Sequence, residues 1–127
     1  MEVKRSTKEK FTVISVAAPE LSANMTEELC GSAGELLESA HKNVVLNLQG
    51  VQAMTDEAGE CLVKTQQHFY ESGASFVVCC LQPAVEQTLD DSGLLELMNV
   101  TPTESEAWDI VQMEEIEREL LGDDDED

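Results

Sequence analysis

Thr55, Asp56 and Glu57 are the residues of this chain whose types and spacing could do chemistry. They stand just ahead of Ala58, Cys61, Leu62, Thr65 and Phe69, whose steps of three and four residues trace one face of a helix. The trio therefore occupies a helix N-terminus. Free backbone N–H groups and the positive end of the dipole favour an anion there, by roughly 0.3–1 kcal/mol when exposed. Two chemistries fit. In the first, Thr55 or Asp56 accepts a backbone N–H as an ordinary N-cap and Glu57 favours the first turn. In the second, the turn holds or imitates a phosphate: Thr55 is a hydroxyl that a kinase could modify, and Asp56 is a fixed negative charge.

No catalytic constellation stands beside this turn. His41 falls on a helix end and His68 on a helix face, and neither has a cysteine or serine at a spacing that suggests a nucleophile pair. The sequence has no Gly-rich phosphate loop and no dinucleotide fingerprint, so no catalysis and no cofactor are expected. Cys30, Cys61, Cys79 and Cys80 fall on helix or strand positions without CxxC or Cys/His clustering, which predicts reduced structural thiols and no metal site. The adjacent pair Cys79 and Cys80 is expected to point to opposite faces of one strand.

The elements that must position the turn follow from periodicity. Phe11 to Val16 and Val44 to Leu48 read as strands, the latter broken by Gly50 as it leaves the core. Asn24 to Ala40 is predicted helical, with Met25, Leu29, Ala33, Leu36 and Ala40 on one face and Gly31 and Gly34 weakening its middle. A helix runs from the acidic turn to about Tyr70 and ends at Ser72 and Gly73. Ala74 to Leu81 is a second buried strand, Pro83 opens a short helix, and Asn99 to Thr101 is an edge strand. Thr103 with Glu106 forms a capping box ahead of the last helix. Strands alternating with helices predict an α/β layer with a mixed sheet.

With these elements in place, VVLNLQGVQAMTDEAGECL at 44–62 resembles the strand, turn and helix of the STAS domain, in which a serine of a DSSG turn is phosphorylated by a partner kinase. LNLQGVQAMTDEAG is similar to the family's strand and turn in register, with Thr55 at the family aspartate, Asp56 at the phosphorylated serine, Glu57 at the second serine and Ala58 at the glycine. SVAAPELSANMTEELCGSAGELL resembles the family's opening strand, turn and first helix, with Pro19 in place of a glycine. SGASFVVCCLQPAVEQTLDDSGLLELMNVTPTESEAW resembles its penultimate strand, following helix and loop, and the start of the last helix. The resemblance covers about Phe11 to Ile110. It implies a STAS-like fold, a mixed four- to five-stranded sheet covered mainly on one side by about four helices. It also implies a module of the anti-sigma factor antagonist type, binding a kinase-like anti-sigma factor through Met54, Thr55, Asp56, Glu57, Ala58 and Gly59 and the helix after them. With Asp56 at the usual serine, switching by serine phosphorylation is not expected, and Thr55 is the remaining possible phosphoacceptor. The alternative is a constitutive scaffold or homodimeric subunit. A ligand-binding domain for nucleotide or lipid is a third class, and the acidic turn argues against nucleotide phosphates.

Composition narrows the partners. At 127 residues and 42% hydrophobic the chain suits one domain with one core. A formal net charge of −20 argues against nucleic acid or an anionic membrane surface and favours basic partner surfaces. Lys4, Arg5, Lys8 and Lys10 mark residues 1–10 as a flexible basic arm, 11–121 as the domain with an extended last helix, and 122–127 as a disordered acidic tail. No leading apolar segment and no apolar run near eighteen residues is present, so a cytoplasmic protein without membrane insertion is expected. In the last helix Ala107, Ile110 and Val111 form a stripe suited to docking on the sheet, while Met113, Ile116 and Leu120 lie on a rotated face. Either the stripe drifts as the helix bends round the core, or this face, with Trp108 as anchor, receives a partner or a second copy.

Overall fold

The computed structural model describes residues 1–8, 10–39 and 42–125, the last five as backbone. Strand and helix alternate along the chain as the periodicity predicts. The order is β1 (Glu2–Thr7), β2 (Phe11–Ala18), α1 (Ala23–Gly34), β3 (Asn43–Val51), α2 (Asp56–Glu71), β4 (Phe76–Cys79), α3 (Pro83–Asp91), β5 (Val100–Thr101) and α4 (Glu104–Asp125). The strands make one sheet in the order β1-β2-β3-β4-β5, parallel throughout except for the antiparallel pair β1/β2. This is the mixed five-stranded α/β sheet expected of the STAS fold.

The central strand is apolar on both faces because helices cover both. Val44, Leu46 and Leu48 join Leu29, Leu62, Phe69, Val85 and Leu89 of α1, α2 and α3 in one core. Val45 joins Phe11, Val13, Val77 and Cys79 beneath Ala107 and Val111 of α4 in a second. A continuous apolar run rather than strict alternation is the signature of a strand buried on both sides. Three helices lie on one face and α4 alone on the other, so the sheet is covered mainly from one side. Gly50 sits where β2 shifts register between Ser15 and Ala17. A Cβ at Gly50 would come within 2.8 Å of the Val16 carbonyl oxygen and 2.9 Å of the Ala17 Cα, so only glycine lets the two strands approach there.

Several expectations are corrected. Residues 1–10 do not form a free arm: Glu2–Thr7 pairs with β2 from Glu2↔Ala17 to Thr7↔Thr12, and Arg5 hydrogen-bonds the Ser32 hydroxyl and carbonyl of α1. Strand pairing is a backbone property, and the charged side chains that suggested an arm are those that guard an edge strand against further pairing. The first helix starts earlier, at Ala23 under a Ser22 cap, and Thr26 lies inside it, its hydroxyl donating to the Ser22 carbonyl at 2.7 Å. It ends at Gly34 and tightens into a 3-10 turn over Glu35–Glu38, while Ala40 and His41 fall outside the described residues. Cys79 and Cys80 do not face opposite sides. The strand ends at Cys79, Cys80 takes φ 63°, and both pack toward α4. Of the acidic run read as a disordered tail, residues up to 125 continue α4, whose preceding Glu, Arg and Leu residues are strong helix formers; 126–127 lie outside the described residues.

The face beneath α2 holds the larger part of the core. Phe69 and Phe76 are almost fully buried with ring centroids 5.1 Å apart and planes tilted at 55°. Phe69→Ala is expected to destabilise the fold by about 3–5 kcal/mol, measured by denaturant unfolding with an unchanged m-value.

Candidate functional site

The acidic turn lies at the carboxyl end of β3, where open parallel sheets place their working loops. Its backbone is held from both sides. The Leu21 N–H donates to the Ala53 carbonyl at 2.9 Å, and the Thr55 N–H donates to the Leu21 carbonyl at 3.1 Å, a parallel bridge between Leu21 and Met54. The Gln52 N–H donates to the Ala18 carbonyl at 3.1 Å. The loops leaving β2 and β3 are thus sewn together immediately before the first residues of α1 and α2.

Thr55 is the N-cap of α2. It has extended backbone angles, φ −83° and ψ 158°, and its Oγ1 accepts the Ala58 N–H at 3.2 Å while its carbonyl accepts the Gly59 N–H at 3.2 Å. Asp56 and Glu57 follow as the exposed acids of the first turn, next to the free N–H groups of the helix end. Met54, Ala58 and Gly59 are buried. A Cβ on Gly59 would meet Leu89 Cδ2 at 2.7 Å and Leu94 Cδ1 at 2.8 Å, so the glycine lets α2 press against α3 and the loop after it. Of the six residues from Met54 to Gly59 only Thr55, Asp56 and Glu57 face outward, Thr55 half-buried; the other three hold them in place.

Sequence reasoning missed the residues that extend this surface. Ala23 and Glu27 of α1 face Glu57, Glu60, Cys61 and Lys64 of α2 across a shallow groove of about 430 Å³. Glu27 and Glu60 add carboxylates beside the turn, and no local signal in the chain puts α1 against α2. Cys30 and Cys61 meet at the same helix pair with their Sγ atoms 3.7 Å apart, both as free thiols. Burial pushes the Cys30 thiol from its usual 9.0 up to about 12, opposed by a hydrogen bond with Thr65 and reinforced by Cys61. His68 is exposed on α2. Among the described residues no cluster of three or more His, Cys, Asp or Glu is arranged to hold a metal ion, and no helix is long and apolar enough to cross a membrane.

A family model for the STAS domain matches residues 3–107. The chain belongs to the STAS domain family. Its match begins inside β1, so the edge strand is part of the domain. The fold is similar to that of an anti-sigma factor antagonist from Mycobacterium paratuberculosis, with 19% identity over 87% of this chain and 93% of that one and a TM-score of 0.74. A STAS domain protein from Planctomyces limnophilus is 21% identical over 83% of this chain and 93% of its own, with a TM-score of 0.70. SpoIIAA of Bacillus in its unphosphorylated form is 18% identical over 87% and 96%, with a TM-score of 0.69. At these identities the likeness is one of fold, and the STAS scaffold is what the chains share.

Two measurements test the site's construction. Thr55→Ala removes the cap acceptor and is expected to cost about 0.5–2 kcal/mol, whereas Thr55→Ser keeps it and stays close to wild type in the same unfolding assay. The raised Cys30 value means that the folded state keeps a proton the unfolded chain releases. Its contribution is therefore complete below pH 9 and is lost as the pH climbs toward 12. The denaturant midpoint is expected to fall across that window, less steeply in Cys30→Ala.

Proposed function

We propose that this STAS domain is a non-catalytic regulatory module of the anti-sigma factor antagonist type that binds a protein partner through Thr55, Asp56, Glu57 and the outer face of α2. The observation that carries the proposal is the pair of solvent-facing carboxylates at a capped helix start, on a turn whose other residues are buried. A pre-formed turn loses little entropy on binding, which is how a small exposed surface becomes specific. Its residue types suit a partner surface with basic groups, in keeping with the net charge of −20. The partner class is a kinase-like anti-sigma factor.

The turn works without serine phosphorylation at the usual position. SpoIIAA of Bacillus has a structure in a phosphorylated form, and a phosphoserine carries about −1.5 to −2 at neutral pH. Asp56, at the matching position of the turn, supplies one permanent charge. Thr55 is the single hydroxyl of the turn, and its oxygen is engaged as the cap, so a phosphate there would replace a bond that already holds α2. A second reading, a constitutive scaffold or homodimeric subunit, draws on the same fixed charge, which no phosphatase removes.

The test is an affinity pull-down from native lysate with the wild-type chain and an Asp56→Ser variant, read by mass spectrometry. Recovery of a histidine-kinase-like ATPase, with binding changed several-fold by the substitution, is the expected result. Recovery of the chain alone, or of one assembly equally with both variants, supports the scaffold and overturns the switch-derived reading.

A further inference from the structure

The outer face of α4 is independent of the turn. Five residues fix the helix on the sheet along one side. Ala107 and Val111 are buried, Glu104 accepts from Asn47 Nδ2 at 3.3 Å, and Glu114 accepts from the Tyr70 hydroxyl at 2.7 Å. Arg118 Nη2 donates to Asn43 Oδ1 at 3.1 Å and to Ser75 Oγ at 3.0 Å, and also pairs with Glu115 at 3.0 Å. Asn43 is itself buried and braced, receiving the Ser75 N–H at 2.8 Å and donating to the Lys10 carbonyl at 2.9 Å. These attachments span the helix and set its rotation.

At 3.6 residues per turn, Met113, Ile116 and Leu120 then point roughly opposite to that side. They are 58%, 54% and 65% exposed, and with Trp108 at 39% they make up most of the exposed large apolar side chains among the described residues. The stripe does not drift round the core, because the Arg118 contacts prevent the helix from turning it inward. Its steps of three and four residues match an apolar seam for a second helix. Acids border it: Glu106, Asp109 and Glu117 lie along one margin and one end, and Glu119 along the other. The helix's one base, Arg118, is consumed on the inner side.

We propose that this face docks an amphipathic helix of a partner protein whose apolar stripe is flanked by lysines or arginines. Charge selects this occupant over a second copy: two such helices would bring acidic margins together, each on a chain of net charge −20, whereas basic flanks pair with them. Apolar contact supplies affinity, and the charges supply speed and choice of partner.

The experiment uses the full chain and two synthetic helical peptides. Both carry leucines at i, i+3 and i+7 on one face, one with lysine flanks and its twin with glutamate flanks. Calorimetric titration is expected to give at least about tenfold tighter binding of the lysine peptide, weakening with salt. The double variant Ile116→Glu with Leu120→Glu should lose about tenfold or more of that affinity. Both positions are exposed, so an unchanged melting temperature confirms that the variant is folded. Asp56→Ser should bind the lysine peptide within about twofold of wild type, which separates this surface from the turn. Equal binding of the two peptides, or undiminished binding by the double variant, overturns the proposal. So does a dimer in sedimentation velocity that the double variant converts to a monomer, because the occupant is then a second copy.

Discussion

The backbone bonds of Leu21 to the exit of β3 are the constraint on which the working edge of this protein depends. A buried amide must find a partner, and Leu21, itself fully buried, finds both of its partners in Ala53 and Thr55. That exchange extends the parallel pairing of β2 and β3 one step beyond the regular strands. It sets the caps Ser22 and Thr55 at the starts of two neighbouring helices. The position of Asp56 and Glu57 follows from it, since a helix that begins at a pinned cap has no freedom in where its first turn points.

Packing behind the turn turns this backbone constraint into rigidity. Met54, Ala58 and Gly59 are small or flexible enough to be covered completely, and Gly59 in particular lets Leu89 and Leu94 close over α2. A side chain there would push the helices apart and move the acids with them. The charge of the site is therefore carried by residues that face water, while its geometry is carried by residues that do not. This division lets the charges vary without loss of fold.

The opposite face of the sheet follows a different logic. A single helix covers it, so the small core of Ala107, Val111, Cys79 and Phe11 is supplemented by polar attachments at Glu104, Glu114 and Arg118. Burial and the bond to Glu114 push the Tyr70 phenol above its ordinary range, which keeps it a neutral donor to that carboxylate well into alkaline conditions. Hydrogen bonds are directional where apolar contacts are not, and here they orient a helix that carries apolar groups on two sides.

Much of this was written in local pattern. The alternation of strands and helices, the burial of 44–48, the cap at Thr55 and the family resemblance all rest on residues close together in the chain, whose periodicity and hydrogen-bonding chemistry act over a few residues. The readings that failed depend on distant groups. Glu2–Thr7 became a strand because β2 left an edge open, and Cys80 turned toward α4 because its strand stopped. The groove of Glu27 and Glu60 exists only once α1 lies beside α2. Which residues are apolar, charged or able to cap is set by the order of the chain, because those are properties of side chains and their near neighbours. Which of them meet and which face water is settled in the folded chain, because burial and pairing belong to surfaces brought together from separate parts of the chain.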